Sequence, residues 1–122
     1  MEREIVIDTP DEHKIYGILT EPKEKSEKLV IFVHGTAGNC NEHIFFNGAK
    51  FLKARGIANF RFDLYNWQEG GRTFSDCGVQ THVDDLKTVF EHFKNQFAKI
   101  YLIGHSLGGI VVLESGLPAE VS

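Results

Sequence analysis

The sequence predicts an α/β fold, with a mostly parallel sheet, helices on both faces and an antiparallel β-hairpin at the N-terminus. Three observations carry that expectation. In "KLVIFVHG", Leu29 to Val33 form an apolar run without alternation, the signature of a strand buried on both faces. In "VQTHVDDLKTVFEHFKNQF", Val79, Val83, Leu86, Phe90, Phe93 and Phe97 recur at steps of three and four, which is one face of a helix. Across the chain, segments follow the order β-β-β-α-β-α-β-α, and strands that alternate with helices build parallel sheets.

Each element has its own local reason. "REIVIDT" and "KIYGILTEP" are rich in β-branched residues and flank "PDEH", whose Pro10 and Asp11 are turn chemistry. "EPKEKSEK" is charged and aperiodic, so it reads as a solvent loop. "EHIFFNGAKFLKARG" places Phe45, Ala49 and Leu52 on one stripe. Lys50, Lys53 and Arg55 fall in its last turns, and Gly56 stands as a C-cap. "IANFRFDL" is the next strand, and "YNWQEGGRTFSDCG" a long polar loop carrying Trp67. Thr81 with Asp84 suggests a capping box that would start the following helix further in. "AKIYLIGHS" is a further strand, "LGGIVVLESG" a short helix, and "LPAEVS" reads as the lead-in to another strand.

Bulk properties narrow the function. The 122 residues fit one domain, and a 42% hydrophobic content supports a real core. A formal net charge of -4 argues against nucleic acid as the main partner. Cys40 and Cys77 have no metal or redox spacing and read as free thiols in a reducing compartment. "MEREIVIDTP" is not a signal peptide, and no apolar run approaches the roughly 20 residues of a membrane span. The expectation is a soluble, cytoplasmic protein that uses neither membrane nor nucleic acid.

The chemistry concentrates in "LIGHSLGG". Gly104, Ser106 and Gly108 satisfy G-x-S-x-G, and the pattern falls between an apolar strand and a helix, as its mechanics require. A serine on so tight a turn is backbone-strained, and small neighbours relieve the crowding. The turn also presents Oγ near a helix N-terminus, which favours an anion. A phosphate-binding loop is excluded because "GHSLGG" lacks the lysine of that motif.

These residues resemble the nucleophile elbow of the α/β-hydrolase superfamily. "VIFVHGTAGN" resembles that family's third strand and oxyanion loop, and "GIANFRFDL" its fourth strand, ending at Asp63. The resemblance implies Ser106 as nucleophile, with the backbone N–H groups of Leu107 and Thr36 as oxyanion donors. Such donors are worth roughly 3 kcal/mol each to a tetrahedral transition state. It implies a structural role for His34, a side chain at His105 that flanks the nucleophile and points away, and loop hydrogen bonding by Asp63. Trp67, after a strand C-terminus, is a weaker candidate for substrate contact. No metal or cofactor is implied. The loop style resembles the esterase, lysophospholipase-like and aminopeptidase-like branch.

A serine hydroxyl needs a base, and the base an orienting acid. In this superfamily both follow the serine, the acid first and the histidine second. The residues after Ser106 contain no histidine and no aspartate, only Glu114 and Glu120. Residues 1–122 therefore read as one partial domain that stops just before the sixth strand and leaves its last strand an exposed edge. The expected function is the N-terminal portion of a serine hydrolase acting on small esters, thioesters or amides, nearly inactive alone. The edge suggests self-association or pairing with a C-terminal half. A non-catalytic binding module on the same fold is the alternative.

Overall fold

The computed structural model describes residues 1–35, 38–118 and 120–121, the side chains of 76, 120 and 121 excepted. Strands β1 (Glu2–Asp8) and β2 (Lys14–Thr20) form the expected hairpin, paired from Glu2 with Thr20 to Asp8 with Lys14. Its turn is held by Thr9, whose Oγ1 accepts the His13 N–H at 2.9 Å, and Glu12 takes a left-handed φ of 64°.

The sheet continues through β3 (Lys28–Val33), β4 (Ala58–Phe62), β5 (Lys99–Gly104) and a two-residue β6 (Glu120–Val121), in the order β1-β2-β4-β3-β5-β6. The pairs β4–β3, β3–β5 and β5–β6 are parallel, while β2 joins β4 antiparallel. The sheet is therefore mixed, parallel through its centre. Tyr101 and Leu102 of β5 pair with Glu120 and Val121, so the start of the sixth strand is already in place and β5 is not a bare edge. That corrects the expectation that the chain stops short of it.

β3 lies between β4 and β5, which explains its unbroken apolar run. Leu29, Ile31 and Val33 face one layer, and Val30 and Phe32 the other. Helix α1 (His43–Ala54) covers the second face, where its Phe45 ring meets Phe32 at 5.7 Å. Arg55 caps this helix and Gly56 follows with φ 77°, the left-handed position that glycine tolerates. Helices α2 (Val79–Phe93) and α3 (Leu107–Ser115) cover the first face.

Most of the α2 stripe is buried as its spacing predicts, with two corrections at the ends. Val79 is exposed, and Phe97 lies past the helix, packing back on Phe93 at 6.1 Å after the chain turns. The predicted Thr81–Asp84 cap is also displaced. Gly78 is the N-cap, and Thr81 Oγ1 accepts the Gly78 N–H at 3.4 Å, so the helix starts earlier than the capping-box pattern suggests.

Two buried cations were not visible as pattern. Arg72 donates from Nε and a terminal nitrogen to both Asp85 carboxylate oxygens, at 2.7 and 2.9 Å, and to Asp11 at 2.8 Å. It ties the hairpin turn and the loop after β4 to α2. Arg61 points under α1, where it bonds Thr20 Oγ1 and Glu2, each at 3.3 Å, and lies 5.7 Å from the Phe46 ring.

Candidate active site

β5 hands over to α3 through His105 and Ser106 alone. Ser106 has φ 56° and ψ −118°, a region that side-chain-bearing residues avoid at a cost of about 1–3 kcal/mol. The His105 N–H donates to the Val33 carbonyl at 3.0 Å, which extends the sheet ladder one residue past β5. The Gly108 N–H donates to the His105 carbonyl, and the Gly109 N–H to that of Ser106, each at 2.9 Å.

The glycines of the motif follow from backbone approach. A Cβ on Gly104 would sit 2.4 Å from the Gly108 carbonyl group. One on Gly108 would sit 2.1 Å from the Val33 carbonyl oxygen. Neither clash is relieved by rotating a side chain. Gly109 differs: its nearest obstacle, the Gly104 carbonyl oxygen, is 3.8 Å away.

Ser106 is exposed, and its Oγ has no hydrogen bond among the described residues. A Cβ on Gly35 would lie 3.2 Å from Ser106 Cβ, so the loop after β3 rests directly on the serine. Leu107 is the first residue of α3, and its N–H has no intrahelical acceptor. Thr36, the other expected donor, lies outside the described residues.

His34 is buried at 1% exposure. Its Nε2 accepts the Leu64 N–H at 2.9 Å, which leaves the proton on Nδ1 to reach the Gly35 carbonyl at 2.8 Å. Burial pushes its pKa below the usual histidine value. The ring is thus a neutral strut between the two loops. His105 is exposed, and its Nδ1 comes within 3.5 Å of a Gly35 Cβ position. It therefore lies beside the loop after β3. Asp63 accepts the Cys40 N–H at 2.9 Å and the Asn66 side-chain amide at 3.4 Å, which anchors the chain ahead of α1. Cys40 beside it is buried, and burial raises its thiol pKa to about 12, so it stays protonated.

Tyr65, after β4, lies edge-on to His34 at 5.5 Å and to Phe74 at 4.9 Å, and 6.0 Å from His82 of α2. This aromatic stack supports the His34 strut from below. No sequence pattern marks it, because its members come from four separate segments. Trp67 stands 93% exposed at a cleft of about 510 Å³ that does not reach Ser106. Glu114 is exposed on α3. Among the described residues no group of three or more histidine, cysteine, aspartate or glutamate side chains is arranged to hold a metal, and no helix is long and apolar enough to cross a membrane.

A strained serine between a parallel strand and a helix, with a glycine-bearing loop seated on it, defines the class of α/β hydrolases. The model of the alpha/beta hydrolase family matches residues 30–121, and the chain belongs to that family. Among curated proteins, protein phosphatase methylesterase 1 of Candida albicans is 35% identical over 90 residues, covering 72% of this chain and 24% of that protein. The uncharacterized protein YfhR of Salmonella typhimurium is 32% identical over 94 residues, covering 74% and 30%. Among solved structures, Est1E from Butyrivibrio proteoclasticus with ferulic acid bound superposes with a TM-score of 0.81 at 28% identity, covering 91% of this chain and 46% of that one. The Pyrococcus furiosus esterase Pf2001 has the same fold, with a TM-score of 0.81 at 24% identity over 98% and 49%. The chain thus spans about half the length of these solved structures and under a third of the curated relatives.

Proposed function

We propose that this chain supplies the nucleophile and oxyanion loop of a serine hydrolase that cleaves small carboxylic esters. The strained Ser106 turn, packed against Gly35, carries the reading. The name of one relative, a methylesterase, supports ester over amide or thioester. In the proposed step Ser106 Oγ attacks the carbonyl carbon while its proton passes to a base. The carbonyl oxygen gains negative charge and accepts hydrogen bonds donated by the N–H groups of Leu107 and Thr36. Collapse expels the alcohol, which takes the proton back. Water then repeats the sequence on the acyl-serine and frees the acid.

No described histidine hydrogen-bonds Ser106 Oγ, which supports a base supplied by another segment. The 122-residue chain is accordingly expected to be nearly inert toward p-nitrophenyl acetate, and free imidazole to restore a slow acylation that Ser106→Ala abolishes. Turnover by the chain alone at ordinary enzyme rates, about 1 per second or more, would show that the base is already present. An imidazole effect that Ser106→Ala leaves untouched would favour a non-catalytic binding module.

A further inference from the structure

We infer that the cleft beside Trp67 is a binding site for a polyhydroxylated ligand of the mono- or disaccharide class. It rests on the cleft alone and does not require Ser106 to be a nucleophile. The cleft lies between the β1–β2 hairpin, the turn before α1 and the loop after β4, with a volume of about 510 Å³. That is the size range of small-molecule sites. Gly38, on its wall, donates its N–H to the Gly35 carbonyl at 3.1 Å. The cleft therefore opens at the far end of the same loop that touches Ser106.

Trp67 is the chain's single tryptophan, and its ring is exposed, with no ring-stacking or cation contact among the described residues. The loop that presents it is tightly bonded. The Asn66 N–H donates to the Arg72 carbonyl and the Gly71 N–H to that of Gln68, each at 2.9 Å, and the Gln68 N–H to Asn66 Oδ1 at 3.0 Å. The Lys14 N–H reaches the Gly70 carbonyl at 2.7 Å, and Tyr16 Oη donates to the Glu69 carbonyl. An apolar ring on a braced loop, left in water, is a prepared contact surface.

Polar groups face it across the cleft. The Asn41 side-chain amide and the Glu4 carboxylate have no hydrogen-bond partner among the described residues. Gln68 accepts from Asn66 with Oε1 at 3.4 Å and keeps its amide donors. Asp63 keeps further acceptor sites beyond those used by Cys40 and Asn66. A sugar offers a C–H face to an indole and hydroxyls that donate to carboxylates and both donate to and accept from amides. No lysine or arginine lines the cleft, so phosphate or carboxylate ligands have no counter-charge. An organic ammonium would call on the same carboxylates and on the aromatic residues Tyr16, Tyr65 and Trp67 of the lining, and it is the competitor that the experiment tests.

The chain is titrated with xylobiose, cellobiose and choline while the emission of Trp67 is followed, and affinities are confirmed by calorimetry on Trp67→Ala and Asn41→Ala. At least one disaccharide is expected to shift the emission to the blue saturably. Trp67→Ala is expected to weaken binding about 10-fold or more. Because Trp67 is 93% exposed, its removal should leave the thermal midpoint unchanged, which excludes unfolding as the cause. Ser106→Ala should bind sugar as well as the parent chain, which separates this inference from the proposed catalysis. Absence of saturable sugar binding, saturation by choline alone, or sugar binding indifferent to Trp67→Ala each overturns it.

Discussion

Ser106 holds a backbone conformation that glycine adopts freely and serine does not. Ser106→Gly should therefore raise stability by about 1 kcal/mol, and Ser106→Ala should not, since alanine keeps the Cβ. Chemical denaturation of the two variants checks this, and equal stabilities would deny the strain. The neighbouring glycines should separate just as clearly. Gly108→Ala drives a Cβ into the Val33 carbonyl and is expected to destabilise by about 2–3 kcal/mol. Gly109→Ala meets only ordinary van der Waals contact inside a helix and should be neutral or stabilising by up to about 1 kcal/mol. Two adjacent glycines that read alike in sequence are thus predicted to respond with opposite sign.

Among the elements, α2 is held to the hairpin turn by Arg72. Asp85 is 3% exposed at its side chain, and burial works to raise its carboxyl pKa while the guanidinium opposes that. Arg72→Ala leaves this carboxylate buried and unpaired, at an expected cost of about 3–5 kcal/mol. Without Arg72, the Asp85 pKa in the folded state lies above its unfolded value. The extra loss should therefore grow as pH rises and shrink in acid, which urea titrations at pH 5 and 8 would resolve. The two buried histidines impose the reverse slope on the parent chain. Burial lowers the pKa of both His34 and His82 in the folded state. The unfolded chain therefore binds their protons first, so stability is full above about pH 6.5 and falls as pH drops below it, by at most about 1.4 kcal/mol per pH unit for each proton. Among the described residues His82 Nδ1 has no hydrogen-bond partner. His82→Phe should accordingly flatten the slope without losing a bond at Nδ1, and an unchanged slope would remove His82 from this account.

At the scale of the whole molecule, what was legible in the sequence is what backbone crowding and two-sided burial write into residue types. Leu29 to Val33 are apolar throughout because helices cover both faces, and Gly104 and Gly108 are glycine because carbonyls occupy the space of a Cβ. The Trp67 cleft was legible only as one weak candidate. Its walls come from residues as far apart as Glu4, Asn41 and Gln68, which meet only through the pairing of β1 with β2 and β2 with β4. Arg72 and Asp85 are 13 residues apart across a loop and a helix start, a separation with no periodic signature. The same holds for the stack of Tyr65 under His34.

β4 adds a property of a different kind. Asn59 and Arg61 face α1, while Phe60 and Phe62 face the layer of α2, where the Phe60 ring meets Phe93 at 4.8 Å. A slip of one residue against β3 would exchange the two sets, driving a guanidinium and an amide among the phenylalanines. The alternation thus acts as a lock on strand alignment: the chain has one in-register arrangement, and its nearest competitor is excluded by charge burial.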